Sequence, residues 1–381
     1  MKRLAVVLVG LSLLTVGAMA HAAGECPPLK LGSYWKCPAE ARPGAPKAMG
    51  ITLRVQPRYS FTADDAGQPT FSALDATDAG DAYNTRRIRV AVTRQLGDDW
   101  LGFVHARKDW GMDDLKLEDY YVTNTSMDWA SVTVGQMMAP FDRPYLMPDT
   151  QLPLAERPLV STVLVPGRQI GVMLHHQECG KRLGWQAGLF SGNGANEWST
   201  RGGLMPVARA EWIASPDLSL GVNFSYKDGV TSSAYQKMLK KNGSAYGLQA
   251  SYTARDVSET AWGVDALYQR DWLSVYAGYT ALRAEAPGSK VDANGWYLNF
   301  GKFIPLGGHQ DKLEFVAGYE QFDANDAVTD QLDARYTTFG LNYHVKGCEQ
   351  QWRAQYIIRG EGANAVSNNT FLVEYDFLIN K

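Results

Sequence analysis

A chain of 381 residues with 45% hydrophobic, 20% charged and 11% aromatic side chains, 37 glycines and 17 prolines belongs with folded proteins, not with disordered, collagen-like or disulfide-dense ones. Its 37 basic and 40 acidic residues leave a formal net charge of −3, which gives no support to generic nucleic-acid binding. A mean hydropathy of −0.27, with no apolar run of spanning length beyond the extreme N-terminus, excludes a helical membrane protein, so any membrane residence has to come from strands.

Residues 1–23 read as a secretory signal peptide. Lys2 and Arg3 form the positive region, Leu4 to Val16 the apolar core, and Ala18-Met19-Ala20 or Ala20-His21-Ala22-Ala23 the small-residue cleavage site. Removing Lys2 and Arg3 with this leader takes the net charge from −3 to −5. Four cysteines in an exported chain favour disulfides over a catalytic thiol. Residues 24–48 form a Pro-rich segment bracketed by Cys26 and Cys37 that patterns as neither strand nor helix.

From Met49 the sequence alternates with a period of two. Ile51, Leu53, Val55, Tyr59 and Phe61 fall on one face and Thr52, Arg54, Gln56, Arg58 and Ser60 on the other, an apolar-out, polar-in arrangement. The pattern recurs in segments of roughly 10 to 13 residues, near the length of a tilted bilayer-crossing strand. Strands are expected near 49–62, 83–96, 99–110, 115–126, 129–138, 167–177, 182–191, 205–214, 217–228, 259–269, 272–284, 293–304, 312–322, 335–346, 350–360 and 369–380, sixteen in all. Segment 244–254 also alternates through Tyr246, Leu248, Ala250 and Tyr252; as a seventeenth strand it would break the parity, so it is assigned to a loop. Short linkers such as Met127-Asp128 and Ser215-Pro216-Asp217 alternate with long ones at 63–82, 139–166, 192–204, 229–258, 323–334 and 361–368, which is the signature of an outer-membrane barrel. Trp100, Trp129, Trp185, Trp212, Trp272 and Trp352 lie beside the short turns and Trp110 and Trp296 beside long loops, as two aromatic girdles require. A secreted β-sandwich or propeller also alternates, but even spacing over this length fits an all-β transmembrane barrel at 49–381 better.

Catalytic and metal chemistry find no support. None of His21, His105, His175, His176, His309 and His344 has a metalloprotease-type ligand spacing, no C-x-x-C-H haem motif exists, and the Gly-rich stretch Ser191 to Trp198 opens no helix. No catalytic residue, metal ligand or cofactor is therefore expected. The lumen face instead carries charge. Arg54 and Arg58 on the first strand, Arg87 and Arg89 on the second, Arg107 or Lys108 on the third, and Arg353 and Arg359 on the fifteenth would form a basic wall suited to oxyanions. These arginines could equally pair with Glu211, Asp265, Glu314, Glu320, Glu374 and Asp376, and closure of the last strand on the first would bring Glu374 and Asp376 near Arg54 and Arg58. Both an anion track and a balanced transverse field stay open.

The connection 139–166 is too apolar for a solvated flap. Burying Leu152, Leu154, Leu159, Val160, Val163 and Leu164 requires it to fold into the barrel or against a neighbouring protomer, and the inward fold would set Arg143 and Arg157 with Asp142, Asp149 and Glu156 at a constriction. Loop 63–82 is acidic, with Asp64, Asp65, Asp75, Asp78 and Asp81, while loop 229–258 supplies Lys237, Lys240 and Lys241.

The stretches VGQMMAPFDRPYL, AERPLV, PGRQIGVML and LGWQAGLFSGNG resemble the phosphate-selective porin O/P family of bacterial outer membranes in order and spacing. That resemblance implies a sixteen-stranded, trimeric porin with an inward-folded third loop and an arginine-lined passage. Two features depart from the family pattern: Met137-Met138 stands where members commonly place a lysine, and the chain ends Phe377-Leu378-Ile379-Asn380-Lys381 instead of on an aromatic residue. Cys179 and Cys348 fall in short turns on the side where Cys26 and Cys37 precede the first strand, so the N-terminal segment could be tethered by disulfides across the periplasmic mouth, or could close locally as Cys26–Cys37. The expectation is a non-enzymatic outer-membrane porin for passive diffusion of small hydrophilic solutes, with a preference for inorganic anions, a homotrimer in contact with outer-membrane lipid. A barrel housing a partner such as a redox protein is the alternative.

Overall fold

The computed structural model describes residues 49–62, 80–109, 114–176, 182–197, 204–229, 257–270, 272–286, 289–306, 312–327, 329, 333–345, 350–362 and 369–380. Sixteen antiparallel strands close into one barrel, β1 pairing with both β2 and β16. They are β1 (Met49–Thr62), β2 (Gly80–Gln95), β3 (Trp100–Asp109), β4 (Lys116–Asn124), β5 (Ser131–Met138), β6 (Arg168–His176), β7 (Leu183–Phe190), β8 (Met205–Ser215), β9 (Leu218–Lys227), β10 (Ser258–Arg270), β11 (Leu273–Ala286), β12 (Ser289–Pro305), β13 (Lys312–Asp323), β14 (Ala334–Val345), β15 (Gln350–Glu361) and β16 (Thr370–Asn380). Closure removes the free edges that a long open sheet would present for aggregation.

The alternation read from the sequence orients the side chains. Arg54, Gln56, Arg58, Ser60 and Thr62 are buried inside while Ile51 and Phe61 are exposed outside. Trp100, Trp129, Trp212 and Trp272 sit exposed by the short turns, and Trp262 and Trp296 stand exposed nearer the other rim; Trp110 lies outside the described residues. Also outside them are the signal peptide, the 24–48 segment, all four cysteines, the acidic 63–79 stretch and the 244–254 segment.

Several strands run further than the pattern predicted, β11 and β12 among them. β11 and β12 pair as far as Ala286↔Ser289, beyond the expected ends at 284 and 293. Here the inward positions Leu282, Ala284, Val291 and Ala293 are buried and apolar, so the polar-in signal fades although the strands continue. What they bury against is the connection between β5 and β6. That connection contains α1 (Arg143–Leu146), a 3-10 turn (Asp149–Gln151) and α2 (Val160–Val163), and α2 packs on β11 and β12. Leu159, Val160, Val163, Leu164 and Val165 join Leu282, Ala284, Val291, Ala293 and Phe322 in one apolar cluster.

Candidate functional site

The connection 139–167 contacts strands on both sides of the barrel. On one side its carboxylates meet the arginine wall. Asp149 pairs with Arg54 (3.1 Å), Arg87 (3.5 Å), Arg89 (3.6 Å) and Arg157. Glu156 accepts from Arg58 Nη1 at 2.6 Å and Arg86 Nε at 3.0 Å on Oε1, and from Arg87 Nη2 at 3.0 Å and Arg86 Nη2 at 3.2 Å on Oε2. Behind them, strand closure supplies the carboxylates of β16: Arg54 pairs with Asp376, Arg58 with Glu374 at 2.6 Å, and Arg353 with Glu374 at 3.2 Å. Arg353 also donates to the carbonyls of Asp149 and Leu152.

The network continues along the wall. Arg89, Arg107 and Arg168 pair with Glu118, Arg168 also with Asp119, and Arg86 and Arg107 with Asp109. Among the described residues one unbroken set of ion pairs thus holds nine guanidinium groups (residues 54, 58, 86, 87, 89, 107, 157, 168 and 353) and seven carboxylates (109, 118, 119, 149, 156, 374 and 376), an excess of two positive charges.

Across the lumen Arg143, fully buried, donates from Nε to Asp265 Oδ1 at 2.7 Å and from Nη1 to Glu211 Oε1 at 2.9 Å. Asp265 also receives Arg209. Gly221 faces the pair from between β8 and β10 and leaves the space that Arg209 needs, for a Cβ there would stand 2.4 Å from Arg209 Nη2. Tyr297 donates to Asp142 at 3.3 Å. The connection is further tied by Ala155 N–H to Gln355, Leu159 N–H to Glu320, and the Pro153 carbonyl to Asn342 and Gln355.

Charge and burial oppose one another in this connection. Burial disfavours the ionised form of Asp149, but the guanidinium groups of Arg157, Arg87, Arg89 and Arg54 hold it well below the usual carboxylate range. Glu156 is held low in the same way by Arg86, Arg58 and Arg87. Asp142 goes the other way: burial and the neighbouring Asp265 charge push it up to about 6, only partly offset by Ser161, Arg209 and Tyr297.

Of the expected wall residues, Arg54, Arg58, Arg87, Arg89, Arg107 and Arg353 all stand in the network, each engaged by carboxylates. Lys108, the alternative to Arg107, is exposed on the opposite face. Arg359 donates to Thr370 Oγ1 at 2.8 Å and lies over the Tyr336 ring. Arg86 was missed because strict alternation points it outward. A register shift between Gln56 and Pro57 turns two consecutive arginines inward, and Pro57, which has no N–H for the ladder, was the available signal. A second shift at His105/Ala106 leaves Glu118 and Asp119 both buried inside. His105, Glu118 and Asp119 lie close enough to hold a metal ion, yet Arg89, Arg107 and Arg168 already compensate those carboxylates, so the donor set fits a cation poorly.

A closed sixteen-stranded barrel, apolar outside and polar within, is the architecture of an outer-membrane porin. The sequence profile described as phosphate-selective porin O and P matches residues 55–371, and the chain belongs to that family. No curated protein matches the sequence. Among solved structures, it resembles the high-pH structure of Pseudomonas putida OprB at 13% identity and TM-score 0.60, over 95% of this chain and 100% of that one. It also resembles Salmonella typhi OmpF in complex with daunomycin (11% identity, TM-score 0.59, 87% and 97% covered) and the trimer form of Vibrio cholerae OmpT (10% identity, TM-score 0.57, 87% and 99% covered). At such identities the likeness is one of fold.

Proposed function

We propose that this outer-membrane porin conducts small hydrophilic solutes passively with a preference for inorganic oxyanions, as a homotrimer. The observation that carries the reading is the excess of two positive charges in the ion-paired wall beside the connection 139–167. At about 8 Å in a water-like medium each excess charge attracts a monovalent anion by ~0.5 kcal/mol, so two give roughly fivefold enrichment over bulk. This is selectivity of degree, not exclusion. Apart from Trp100 beside a short turn, the exposed large hydrophobics of β3–β7 are aliphatic, such as Val104, Val122, Val134, Val172 and Leu189, whereas β9–β16 mix aliphatic residues with Phe224, Trp262, Trp296, Phe315, Phe339, Tyr356 and Phe371, a difference that supports a protein contact on β3–β7. Small flat side chains suit a protomer and aromatic ones suit lipid.

A barrel that houses a partner protein is disfavoured because the lumen already holds the connection 139–167, bonded to β1, β2, β8, β10 and β12–β15. The deciding experiment is the reversal potential of the purified protein in a planar bilayer under a salt gradient, then titration with phosphate and sulfate. An anion-selective current reduced by phosphate is expected. Cation selectivity would refute the oxyanion preference, and absence of conductance would refute the porin reading for this chain.

A further inference from the structure

We propose that Arg58, Arg86 and Arg87 form an oxyanion site whose resident occupant is the tethered carboxylate of Glu156, and that a permeating tetrahedral oxyanion binds by displacing it. The inference rests on the anion-conducting reading above and names the residue that sets its affinity.

Four observations carry it. First, Glu156 takes four N–H donors from three guanidinium groups on its two oxygens, the coordination a phosphate or sulfate would accept. Second, its side chain is 18% exposed, against 0–12% for the other six carboxylates of the network, so it is the member an external ion can reach and exchange with. Third, two arms of the cradle have anchors other than Glu156: Arg58 holds Glu374, and Arg87 holds Gln56 and Asp149. Arg86 loses its closest partner and keeps Asp109 only at 3.9 Å, so it becomes the arm freed for the ligand. Fourth, the backbone around Glu156 is pinned. Ala155 N–H bonds Gln355, Arg157 bonds the carbonyls of Pro144 and Met147, and Leu159 N–H bonds Glu320. Exchange therefore requires a side-chain rotation only, with the connection staying docked.

A carboxylate held on the same chain competes at high effective concentration, so it lowers the apparent affinity of a free ion by the fraction of time the cradle is vacant. Such a site retains an oxyanion briefly without trapping it, as conduction requires.

The test is block of single-channel current by inorganic phosphate, and separately by sulfate, in the full-length protein carrying Glu156→Gln. Removing the competitor is expected to lower the half-blocking concentration of both ions at least tenfold. Asp149→Asn removes the same charge from the same connection at a less accessible position and is expected to shift block severalfold less. Equal shifts in the two variants, or an unchanged half-blocking concentration in Glu156→Gln, would overturn the proposal. If Glu156→Gln does not give a heat-modifiable folded barrel, Glu156→Asp, shorter by one methylene, is expected to shift block in the same direction by a smaller factor, and no shift would be equally fatal. A conducting, anion-selective wild type with an unresponsive Glu156 variant sinks this inference alone, whereas a cation-selective wild type sinks the oxyanion preference with it and a non-conducting one the porin reading.

Discussion

Replacing Arg143 with methionine tests how the connection 139–167 is held. Arg143 is wholly buried and bridges Asp265 and Glu211 by hydrogen bonds of 2.7 and 2.9 Å. Removing one partner of a buried ion pair costs about 3–5 kcal/mol, mostly because the remaining charge stays desolvated. Asp265 keeps Arg209, so the loss lies toward the lower end. A cost of about 3 kcal/mol lowers the docked-to-undocked ratio of residues 139–148 by roughly two hundredfold. The far half stays anchored through Asp149, Glu156 and the α2 cluster, so the expected phenotype is current flicker and higher mean conductance in planar-bilayer recordings, not an unobstructed barrel. Single-channel noise, conductance and heat-modified gel migration all identical to wild type in Arg143→Met would refute the anchoring role.

Neutralising Arg87 and Arg89 together to glutamine removes the two-charge excess and is expected to abolish anion preference in reversal-potential measurements while the barrel stays folded; unchanged selectivity would refute the role of the network. Asp142, pushed up to about 6, binds its proton more tightly in the docked connection than in water, so docking strengthens as pH falls from about 6 toward 4 and weakens as pH rises through that window. The swing amounts to about 3 kcal/mol at most, and flicker measured from pH 4 to 7 should lose this slope in Asp142→Asn. Asp149 and Glu156 act with opposite sign, but only at lower pH, because arginines hold both well below the usual range. Gly221→Val drives a side chain into the Arg209–Asp265 pair and is expected to lower the thermal stability of the barrel, read by heat-modifiable gel mobility. Non-reducing peptide mapping separates the two disulfide arrangements: Cys179 or Cys348 joined to Cys26 or Cys37 is the outcome the tether requires, and a lone Cys26–Cys37 bridge would end that idea.

The strand count, closure and facing were legible because a period of two forces each side chain to one side, and a one-residue error would invert a whole strand. The nearness of Glu374 and Asp376 to Arg54 and Arg58 followed from closure, since the last strand must run antiparallel to the first, whereas which carboxylate meets which arginine depends on the register. Legibility ended where the period was interrupted. At Pro57 and at His105/Ala106 an extra residue turns Arg86 and Glu118 inward, and alternation carries no record of that. It ended also where the lumen is not polar. The apolar inward row of β10–β14 has meaning only against Val160 and Val163, and which wall the connection packs on is a long-range fact that local patterning cannot hold.

Pairing changes what the arginine wall can do. Bare guanidinium groups would bind an oxyanion tightly and release it slowly, and a conducting pore needs sites weak enough to leave. Here every network arginine meets at least one carboxylate, so an entering anion gains only the difference between its own contacts and those it replaces. The same carboxylates fix the guanidinium planes, which supplies geometry without the charge of an empty site. Placing two of them, Asp149 and Glu156, on the connection and not on the wall couples selectivity to docking: whatever lifts the connection widens the passage and simultaneously exposes the arginines. The two effects oppose each other for phosphate, since the wider passage speeds transit while the uncovered cradle holds the ion longer. The double variant Asp149→Asn, Glu156→Gln should therefore raise chloride conductance more than phosphate conductance, and a proportional rise in both would mean that the connection acts on pore width alone.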